Sequence, residues 1–213
     1  MLKNLQDLRR EYKKGKLTED VIPENPVDFF REWFDEAGEA EVTEPNAMSL
    51  ATVSPDCKPE VRTVLLKGIE GGAIQFFTNY TSDKAEELAQ HPYASCCFWW
   101  AELERQVRIS GPVTKLDEAE NIAYFKTRPR ESQIGAWASN QSSEIKGREV
   151  LISEFEKFKK KFEGREIPKP AEWGGYSIEI QKIEFWQGRP GRLHDRINCT
   201  RQNGKWIKRR LAP

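Results

Sequence analysis

Basic side chains occur beside hydroxyl groups in two stretches of the sequence, a combination suited to binding phosphate. The first stretch is FFTNYTSDK (76–84), whose serine precedes a predicted helix. Because the free N–H groups and the dipole at a helix N-terminus attract anions, this stretch is a candidate phosphate site. The second stretch is YFKTRPRESQ (124–133), in which a tyrosine, an arginine and a serine are spaced four residues apart. The candidate phosphate ligands of the two stretches are Thr78, Ser82, Lys84, Tyr124, Arg128 and Ser132.

The segment RLHDR (192–196) concentrates basic groups at a different spacing. Arg192, His194 and Arg196 alternate, so an extended strand would direct all three side chains to one face. We expect the flanking arginines to lower the pKa of His194, because a positive neighbour disfavours the imidazolium. Such a face suits an anionic or aromatic ligand. A purely structural interpretation is that Asp195 and other acids balance the two arginines.

Arg62 and Lys67 bracket the strand-like segment RTVLLK. Residues five apart face opposite sides of a strand unless the strand ends between them. A cation in an apolar strand is costly to bury without an anion. The sequence contains no nucleophile–base pattern and no GxGxxG or GxxxxGKS/T motif after a strand. Together these clusters predict a bound phosphorylated aromatic cofactor and a phosphorylated substrate, with the cofactor carrying the chemistry.

Short strands in series, with helices between some of them, must position these groups. This arrangement predicts a mostly β fold, either an antiparallel sheet or a barrel, with peripheral helices. The predicted strands are 47–53, 60–69, 73–79, 93–101, 105–116, 176–188, 196–202 and 205–211. Asn203-Gly204, between the last two strands, is a strong signal for a two-residue hairpin.

Helical patterns occur at five places. The predicted helices cover residues 2–14, 26–37, 83–90 and 117–127, and a longer helix with an apolar stripe follows Ser142 or Ser143. Asn25 as N-cap and Pro26 at the first helical position begin the second helix. Gly38 is expected to end it. Ser82 is expected to cap the third.

The composition limits the classes of protein that the chain can be. Its 213 residues include 34 basic and 34 acidic side chains, and 38% are hydrophobic, which predicts a folded chain. Four cysteines without a CxxC pair and two histidines do not predict a metal site. Without a long apolar run or a secretory signal, we expect a cytoplasmic protein outside the membrane. The basic ends, residues 1–16 and 201–213, leave nucleic acid as an alternative partner, but no nucleic-acid motif accompanies them.

The sequence resembles the pyridoxine/pyridoxamine 5′-phosphate oxidase family, in order along nearly the whole chain. The segments that carry the resemblance are LRREY (8–12), RTVLLK (62–67), FFTN with TSDK (76–84), ERQVRISG (104–111), YFKTRPRESQIGAW (124–137), NQSS (140–143), WGGY (173–176), EFWQG (184–188), RLHDR (192–196) and RRLAP (209–213). The resemblance implies an antiparallel, Greek-key split β-barrel and a homodimer that binds FMN in a cleft between its subunits. It also implies one domain over residues 1–213, a flexible lid at 1–24, and a region for dimerisation and substrate binding at 173–213.

The resemblance assigns site residues to three roles. The implied FMN contacts are Arg62, Thr63, Val64, Leu65, Leu66, Lys67, Phe77, Thr78, Lys84, Gln106, Gln141, Ser142, Trp186 and Arg196. The implied substrate contacts are Arg9, Arg10, Glu11, Tyr12, Lys67, Tyr124, Arg128, Ser132, Arg192, Leu193 and His194. Of these, Arg192 and His194 are the implied catalytic pair beside the pyridine ring. No metal ligand is implied.

The implied reaction is oxidation of pyridoxine 5′-phosphate and pyridoxamine 5′-phosphate to pyridoxal 5′-phosphate. Hydride would pass from the substrate's C4′ to flavin N5, and O2 would then be reduced to hydrogen peroxide. The main alternative is a split-barrel FMN protein with another substrate, such as a flavin reductase. The presence of both RPRES and RLHDR disfavours this alternative, because a generic flavin protein needs no second phosphate site.

One residue departs from the family pattern. Asp83 stands where the family commonly has an arginine, between Ser82 and Lys84. A carboxylate near the FMN phosphate would weaken binding. We therefore expect Asp83 to turn away and cap the helix, where a negative charge in the first turn is favourable.

Overall fold

The computed structural model describes residues 4, 6, 8 and 10–213. As predicted, the fold is mostly β with peripheral helices. The strands are β1 (Ala47–Val53), β2 (Pro59–Leu65), β3 (Gly68–Glu70), β4 (Ala73–Asn79), β5 (Tyr93–Trp100), β6 (Arg105–Lys115), β7 (Trp173–Glu179), β8 (Lys182–Gln187), β9 (Asp195–Gln202) and β10 (Lys205–Arg210). The helices are α1 (Pro26–Glu39), α2 (Asp83–Gln90), α3 (Glu118–Thr127), α4 (Arg130–Ala138) and α5 (Arg148–Lys161), with short 3-10 turns at Glu19–Val21 and Pro190–Arg192.

The strands form one curled antiparallel sheet. Its main path runs β10-β9-β8-β6-β5-β1-β2, while β7 joins β6 to β4 and β3. The eleven-residue β6 pairs with β8 through residues 105–110 and with β7 through residues 113–115. Because β7 and β8 follow one another along the same side of β6, the sheet bends there and brings β4 near β2. The result is a partly closed barrel.

The bend replaces the single strand predicted over residues 176–188. The chain turns a corner at Ile180 and Gln181, where the N–H of Gln181 donates to the carbonyl of Ser110 (3.1 Å). Gly111 of β6 lies at this corner, and a Cβ on it would come within 1.6 Å of the Glu179 carbonyl oxygen. The apolar pattern of residues 176–188 continues through the corner without a break, and for this reason the prediction of a single strand was wrong.

The main core lies between α1 and the inner face of the sheet. Asn25 caps α1 by accepting a hydrogen bond from the N–H of Val27 (3.3 Å), as predicted. Phe30 and Trp33 are buried against the strands. The helix does not end at Gly38 but continues to Glu39, because Gly38 keeps helical geometry and Ala40 supplies the closing N–H bonds.

A smaller core lies under α3, α4 and α5, and includes Phe125, Ile134 and Trp173. α5 begins at Arg148 rather than after Ser142 or Ser143. Residues 140–143 instead form a turn, in which the N–H of Ser143 donates to the carbonyl of Asn140 (3.2 Å). In this turn Gln141 accepts a hydrogen bond from the hydroxyl of Thr78, near the end of β4 (2.7 Å).

Residues 10–22 lie over the turn before β6 and over β8, β9 and β10, and are called the N-terminal strap below. The helix predicted over residues 2–14 is wrong for the described residues 10–14; residues 2, 3, 5, 7 and 9 lie outside the description. The N–H groups of Lys13 and Lys14 donate to the buried carboxylate of Glu104 (2.7 and 2.9 Å). Because these two N–H groups donate to Glu104, they do not form the backbone hydrogen bonds of a helix.

The predicted hairpin at Asn203-Gly204 is confirmed. Both residues have positive φ (49° and 77°), as a tight two-residue turn between β9 and β10 requires. Within the described part of the chain, no helix has the length and apolar character needed to cross a membrane.

Two glycine substitutions test the corner at Gly111. We expect Gly111→Ala to destabilise the fold by about 1–3 kcal/mol or more, because the added methyl group meets rigid backbone. Gly38→Ala is the matched control: no atom lies within 4 Å of its Cβ position, and alanine should stabilise α1 by about 0.5–1 kcal/mol. Urea unfolding measures both, and a Gly111→Ala midpoint equal to that of the parent would contradict the bend described here.

Candidate functional site

A cavity of about 810 Å³ opens between β2, the end of β4, the start of α2, and the α3–α4 connection. It brings together most of the predicted site residues, although they lie far apart in the sequence. Those lining it are Arg62, Thr63, Val64, Leu65, Lys67, Phe77, Thr78, Lys84, Tyr124, Arg128, Ser132, Gln141 and Ser142. β2 ends at Leu65, so Arg62 and Lys67 can face the same cavity despite their spacing.

Lys84 provides a buried positive charge in this cavity. Its ammonium group donates to the hydroxyls of Thr78 (3.2 Å) and Ser82 (3.1 Å) and to the Gln141 amide oxygen (2.9 Å). Burial, and then the charge of Arg62, lower the pKa of Lys84. Ser82 does not cap α2 as predicted, because its hydroxyl donates to the Asn79 carbonyl (2.7 Å). Because these three oxygens are neutral, they hold the ammonium in place without cancelling its charge, which stays available to an anion.

Arg62 is fixed to the wall of the cavity by buried groups. Its Nη2 lies 2.9 Å from the carboxylate of Glu87, which is only 5% exposed. Thr52 of β1 donates a hydrogen bond to the same carboxylate. Sequence reasoning missed Glu87 and Thr52. The signal for Glu87 is its position three residues after Lys84, on the inner face of α2.

Arg128 forms a second cationic centre beside aromatic rings. Its guanidinium carbon lies 4.7 Å from the centre of the Trp173 ring. Phe77 stacks on Tyr124 (4.0 Å between centroids) and on Trp173 (5.3 Å). Arg128 Nη1 is buried and lacks a hydrogen-bond partner among the described residues, and burial lowers the pKa of the guanidinium. A buried donor without an acceptor points to an anionic ligand.

Trp173 belongs to the resemblance segment WGGY, but sequence reasoning gave it no role in the site. The only signal for it was that resemblance, since nothing in the local pattern places its ring beside Arg128.

Asp83 lines this cavity rather than capping α2. It is the first residue of the helix, with Ser82 at the capping position, and its carboxylate accepts no hydrogen bond from the described residues. Its own N–H donates to the Ser142 hydroxyl (3.3 Å). The expectation that Asp83 turns away to cap the helix was therefore wrong. The negative charge of Asp83 opposes the effect of burial and of Arg62 on the pKa of Lys84, so it offsets part of the positive charge in the cavity.

A second cavity of about 630 Å³ lies under the N-terminal strap. The predicted residues that line it are Arg10, Glu11, Tyr12, Trp186, Arg192 and His194. The rings of Tyr12 and Trp186 lie 5.6 Å and 4.6 Å from that of His194. Arg9, the remaining basic residue predicted for this region, lies outside the described residues.

The segment 192–196 is not the continuous strand predicted. Arg192 lies in a 3-10 turn with φ 63°, and β9 begins at Asp195. Two residues with positive φ, Gly191 and Arg192, reverse the chain, so the alternation expected of a strand does not apply. The reversal brings the backbone N–H of Arg189 to His194 Nδ1 (3.1 Å).

The remaining predicted residues lie outside the first cavity. Gln106 and Arg196 flank Trp186 on neighbouring strands. Arg196 is paired with the buried Glu184 (2.9 Å), which agrees in part with a structural interpretation of RLHDR. Leu66 is buried in the core, whereas Leu193 is 74% exposed.

The predicted site is thus divided between two regions of one chain. β2 carries part of the first cavity and β8 part of the second, and β6, β5 and β1 separate these strands in the sheet.

Two family models match the sequence. Residues 34–162 match the model described as pyridoxamine 5′-phosphate oxidase. Residues 173–213 match the model described as the pyridoxine 5′-phosphate oxidase C-terminal dimerisation region.

Similar structures agree with this fold. PhzG from Burkholderia lata 383, solved in complex with tetrahydrophenazine-1-carboxylic acid, is 31% identical with a TM-score of 0.88, covering 92% of this chain and 98% of that one. A pyridoxamine 5′-phosphate oxidase-related, FMN-binding protein from Nostoc punctiforme is 19% identical with a TM-score of 0.68, covering 86% and 97%. The fold class is the predicted antiparallel split barrel.

Sequence relatives match over essentially their whole length. Proteins named pyridoxine/pyridoxamine 5′-phosphate oxidase are 49% identical in Acaryochloris marina (99% of this chain, 96% of that protein) and 50% identical in Leptospira biflexa (100% of both). The one from Nostoc punctiforme is 51% identical and also covers 100% of both chains. The chain therefore belongs to the pyridoxine/pyridoxamine 5′-phosphate oxidase family.

Proposed function

We propose that the protein oxidises pyridoxine 5′-phosphate and pyridoxamine 5′-phosphate to pyridoxal 5′-phosphate, using FMN and O2 and releasing hydrogen peroxide; with the amine, water is also consumed and ammonia released. The names of its relatives support this proposal. The observation that carries it is the pair of separate cationic centres, Lys84 and Arg128, on one cavity. Two centres suit two phosphorylated ligands, one cofactor and one substrate.

The Lys84 centre suits the phosphate of FMN. A buried ammonium, the fixed guanidinium of Arg62 and the N-terminus of α2 converge there. Residues 62–65 of the edge strand β2 line the same cavity and would lie along the flavin ring. When bound, FMN supplies the hydride acceptor.

The Arg128 centre suits the phosphate of the substrate. Its unpaired Nη1 and the hydroxyls of Tyr124 and Ser132 can bind phosphate oxygens, with Lys67 at the same cavity. Binding there would orient the substrate and fix its position against the flavin. Arg192 and His194 would then complete the site beside the pyridine ring.

We further propose a homodimer in which the second cavity of one subunit completes the first cavity of its partner. The two halves are separated in a single chain, and the matched C-terminal model is described as a dimerisation region. The sheet also exposes Val61, Tyr93 and Trp99 (65%, 48% and 48%), which a partner could cover. In this arrangement, residues 1–24 act as a cover and residues 173–213 supply the interface and part of the substrate site.

A direct assay tests the whole proposal. The purified protein should be yellow, and with either substrate it should form aldehyde and hydrogen peroxide in equal amounts. A colourless protein that binds no added FMN, or a flavoprotein inactive on both substrates, would contradict it.

Replacing Arg128 separates the two phosphate sites. We expect Arg128→Ala to raise KM for the phosphorylated substrates about 10- to 100-fold, because a charge-assisted hydrogen bond contributes about 1.5–3 kcal/mol. FMN content should not change. Steady-state kinetics and flavin absorbance measure both.

Arg148→Ala, at the exposed start of α5, is the matched control and should match the parent in both measurements. Loss of FMN from Arg128→Ala with an unchanged KM would reverse the assignment of the two centres.

Asp83 weakens the anion site by its charge. We expect Asp83→Arg to lower the FMN Kd by about 10- to 100-fold, because it removes a carboxylate and adds a phosphate donor. Asp83→Asn should give a smaller gain, and both gains should shrink as salt rises. Titration of apoprotein with FMN at two salt concentrations measures this. Equal or weaker affinity in the arginine variant would show that the site depends on the carboxylate.

The proposed dimer links cofactor binding to protein concentration. If both chains hold one FMN, dilution below the dimer dissociation constant should release it, since binding and association are coupled. Sedimentation at several concentrations, monitored at the flavin absorbance, measures this. A monomer that retains one FMN per chain would contradict the shared site.

A further inference from the structure

The turn before β6 carries a buried acidic residue, Glu104, to which the proposed function gives no role. One oxygen of its carboxylate, Oε2, accepts hydrogen bonds from the backbone N–H groups of Lys13 and Lys14 (2.7 and 2.9 Å). The other oxygen, Oε1, lies 3.7 Å from the guanidinium of Arg10. These three partners all belong to the N-terminal strap. Because a buried carboxylate is costly without such donors, the strap and Glu104 stabilise each other.

The backbone of Glu104 lies in the left-handed region, with φ 55°. A residue with a long side chain rarely adopts this conformation, whereas glycine and asparagine adopt it at lower cost. The Glu104 carbonyl accepts hydrogen bonds from the N–H of Gly188 (2.8 Å) and the side chain of Gln187 (3.2 Å), which join the turn to the end of β8. A glutamate at a position that favours glycine points to a use for its carboxylate.

The residues bound by Glu104 directly follow Tyr12 in the strap. The Tyr12 ring packs on Gly188, where a Cβ would come within 2.7 Å of Tyr12 Cγ. The ring stands nearly perpendicular to that of Trp186 (5.7 Å between centroids, 89°) and lies 5.6 Å from that of His194. The hydrogen bonds of Glu104 therefore act next to the aromatic ring that covers the second cavity.

We propose that Glu104 is a positioning residue, which anchors the strap through two backbone N–H groups and thereby places Tyr12 over the second cavity. The proposal rests on the proposed function, in which residues 1–24 cover the bound substrate. Without Glu104 the strap would stay joined to the sheet further along, where the N–H of Leu17 donates to the carboxylate of Asp195 (3.0 Å). Loss of the anchor should therefore release Tyr12 without unfolding the barrel.

Trypsin measures the anchor without any assay of activity. Lys13 and Lys14 have exposed side chains, but cleavage after them requires the strap to leave the protein surface. In the protein as purified, Glu104→Asn should raise the rate of cleavage at these two residues about tenfold or more, because two charge-assisted hydrogen bonds are lost. Asparagine tolerates the positive φ but is one methylene group too short to reach the strap. An unchanged rate, with the cleavage sites identified by mass spectrometry, would overturn the proposal.

Two further variants control this measurement. Glu102→Gln removes an exposed charge from the same turn and should be cleaved at the parental rate. A rise equal to that of Glu104→Asn would overturn the anchor. Glu104→Gln keeps an oxygen that can accept a hydrogen bond but has no charge, so its rate should lie between those of the parent and Glu104→Asn. If Glu104→Asn does not fold, Glu104→Gln decides, and cleavage at the parental rate then counts against the anchor.

Steady-state kinetics tests whether Glu104 acts through Tyr12. Glu104→Asn should raise KM for both phosphorylated substrates about tenfold, with kcat within about twofold and FMN content unchanged. Tyr12→Ala should raise KM at least as much, and the double variant should be no worse than Tyr12→Ala alone, because residues that act through one contact are not additive. Effects that multiply in the double variant, or loss of FMN from Glu104→Asn, would overturn the positioning role. If the protein oxidises neither substrate, the proposed function fails, while the cleavage rates still decide the anchor.

Discussion

Lys84 and Arg128 line one cavity, and neither has an ion-pair partner among the described residues; the site depends on this constraint. Burying a cation without a partner is expensive, so each cation needs compensation. Lys84 receives it from hydroxyl and amide oxygens, and Arg128 from the faces of aromatic rings. These contacts supply no full negative charge. The cavity therefore has an excess of positive charge that a bound phosphate can neutralise. Ligand binding should consequently stabilise the folded state.

The sheet topology explains why one chain presents two incomplete regions. The corner between β7 and β8 lets β6 pair with both strands along one edge, which closes the barrel near β4 and leaves β8, β9 and β10 as an extension. The first cavity forms where the barrel is partly closed. Trp186 and His194 lie on the extension, close to the N-terminal strap. Closing the barrel thus places the two groups of predicted site residues on different parts of the sheet.

Local sequence signals predicted the elements but not their long-range partners. Asn25-Pro26 and Asn203-Gly204 act through adjacent backbone, and both were read correctly. The corner at Ile180 was missed because it depends on Gly111, about seventy residues earlier in the chain.

The same limit applied to the site. The candidate phosphate-binding residues were recognisable as cations beside hydroxyls, whereas Glu87 and Thr52 resemble ordinary surface residues until folding buries them against Arg62. The prediction that Asp83 caps the helix was wrong because Ser82 holds the capping position. Asp83, one position later, lines the cavity instead.

The anchoring of the N-terminal strap affects the order in which the chain can fold during synthesis. Arg210 of β10 binds Glu19 (2.8 Å), Asp195 (2.7 Å) and the Leu17 carbonyl (3.0 Å), and Lys208 donates to the carbonyl of Ile22. The ribosome makes the strap before β10, so these contacts can form only after β10 has been synthesised. The strap therefore cannot be fully fixed in place while the earlier strands of the barrel form. Tyr12 is held against His194 by the complete set of contacts only after β10 has left the ribosome.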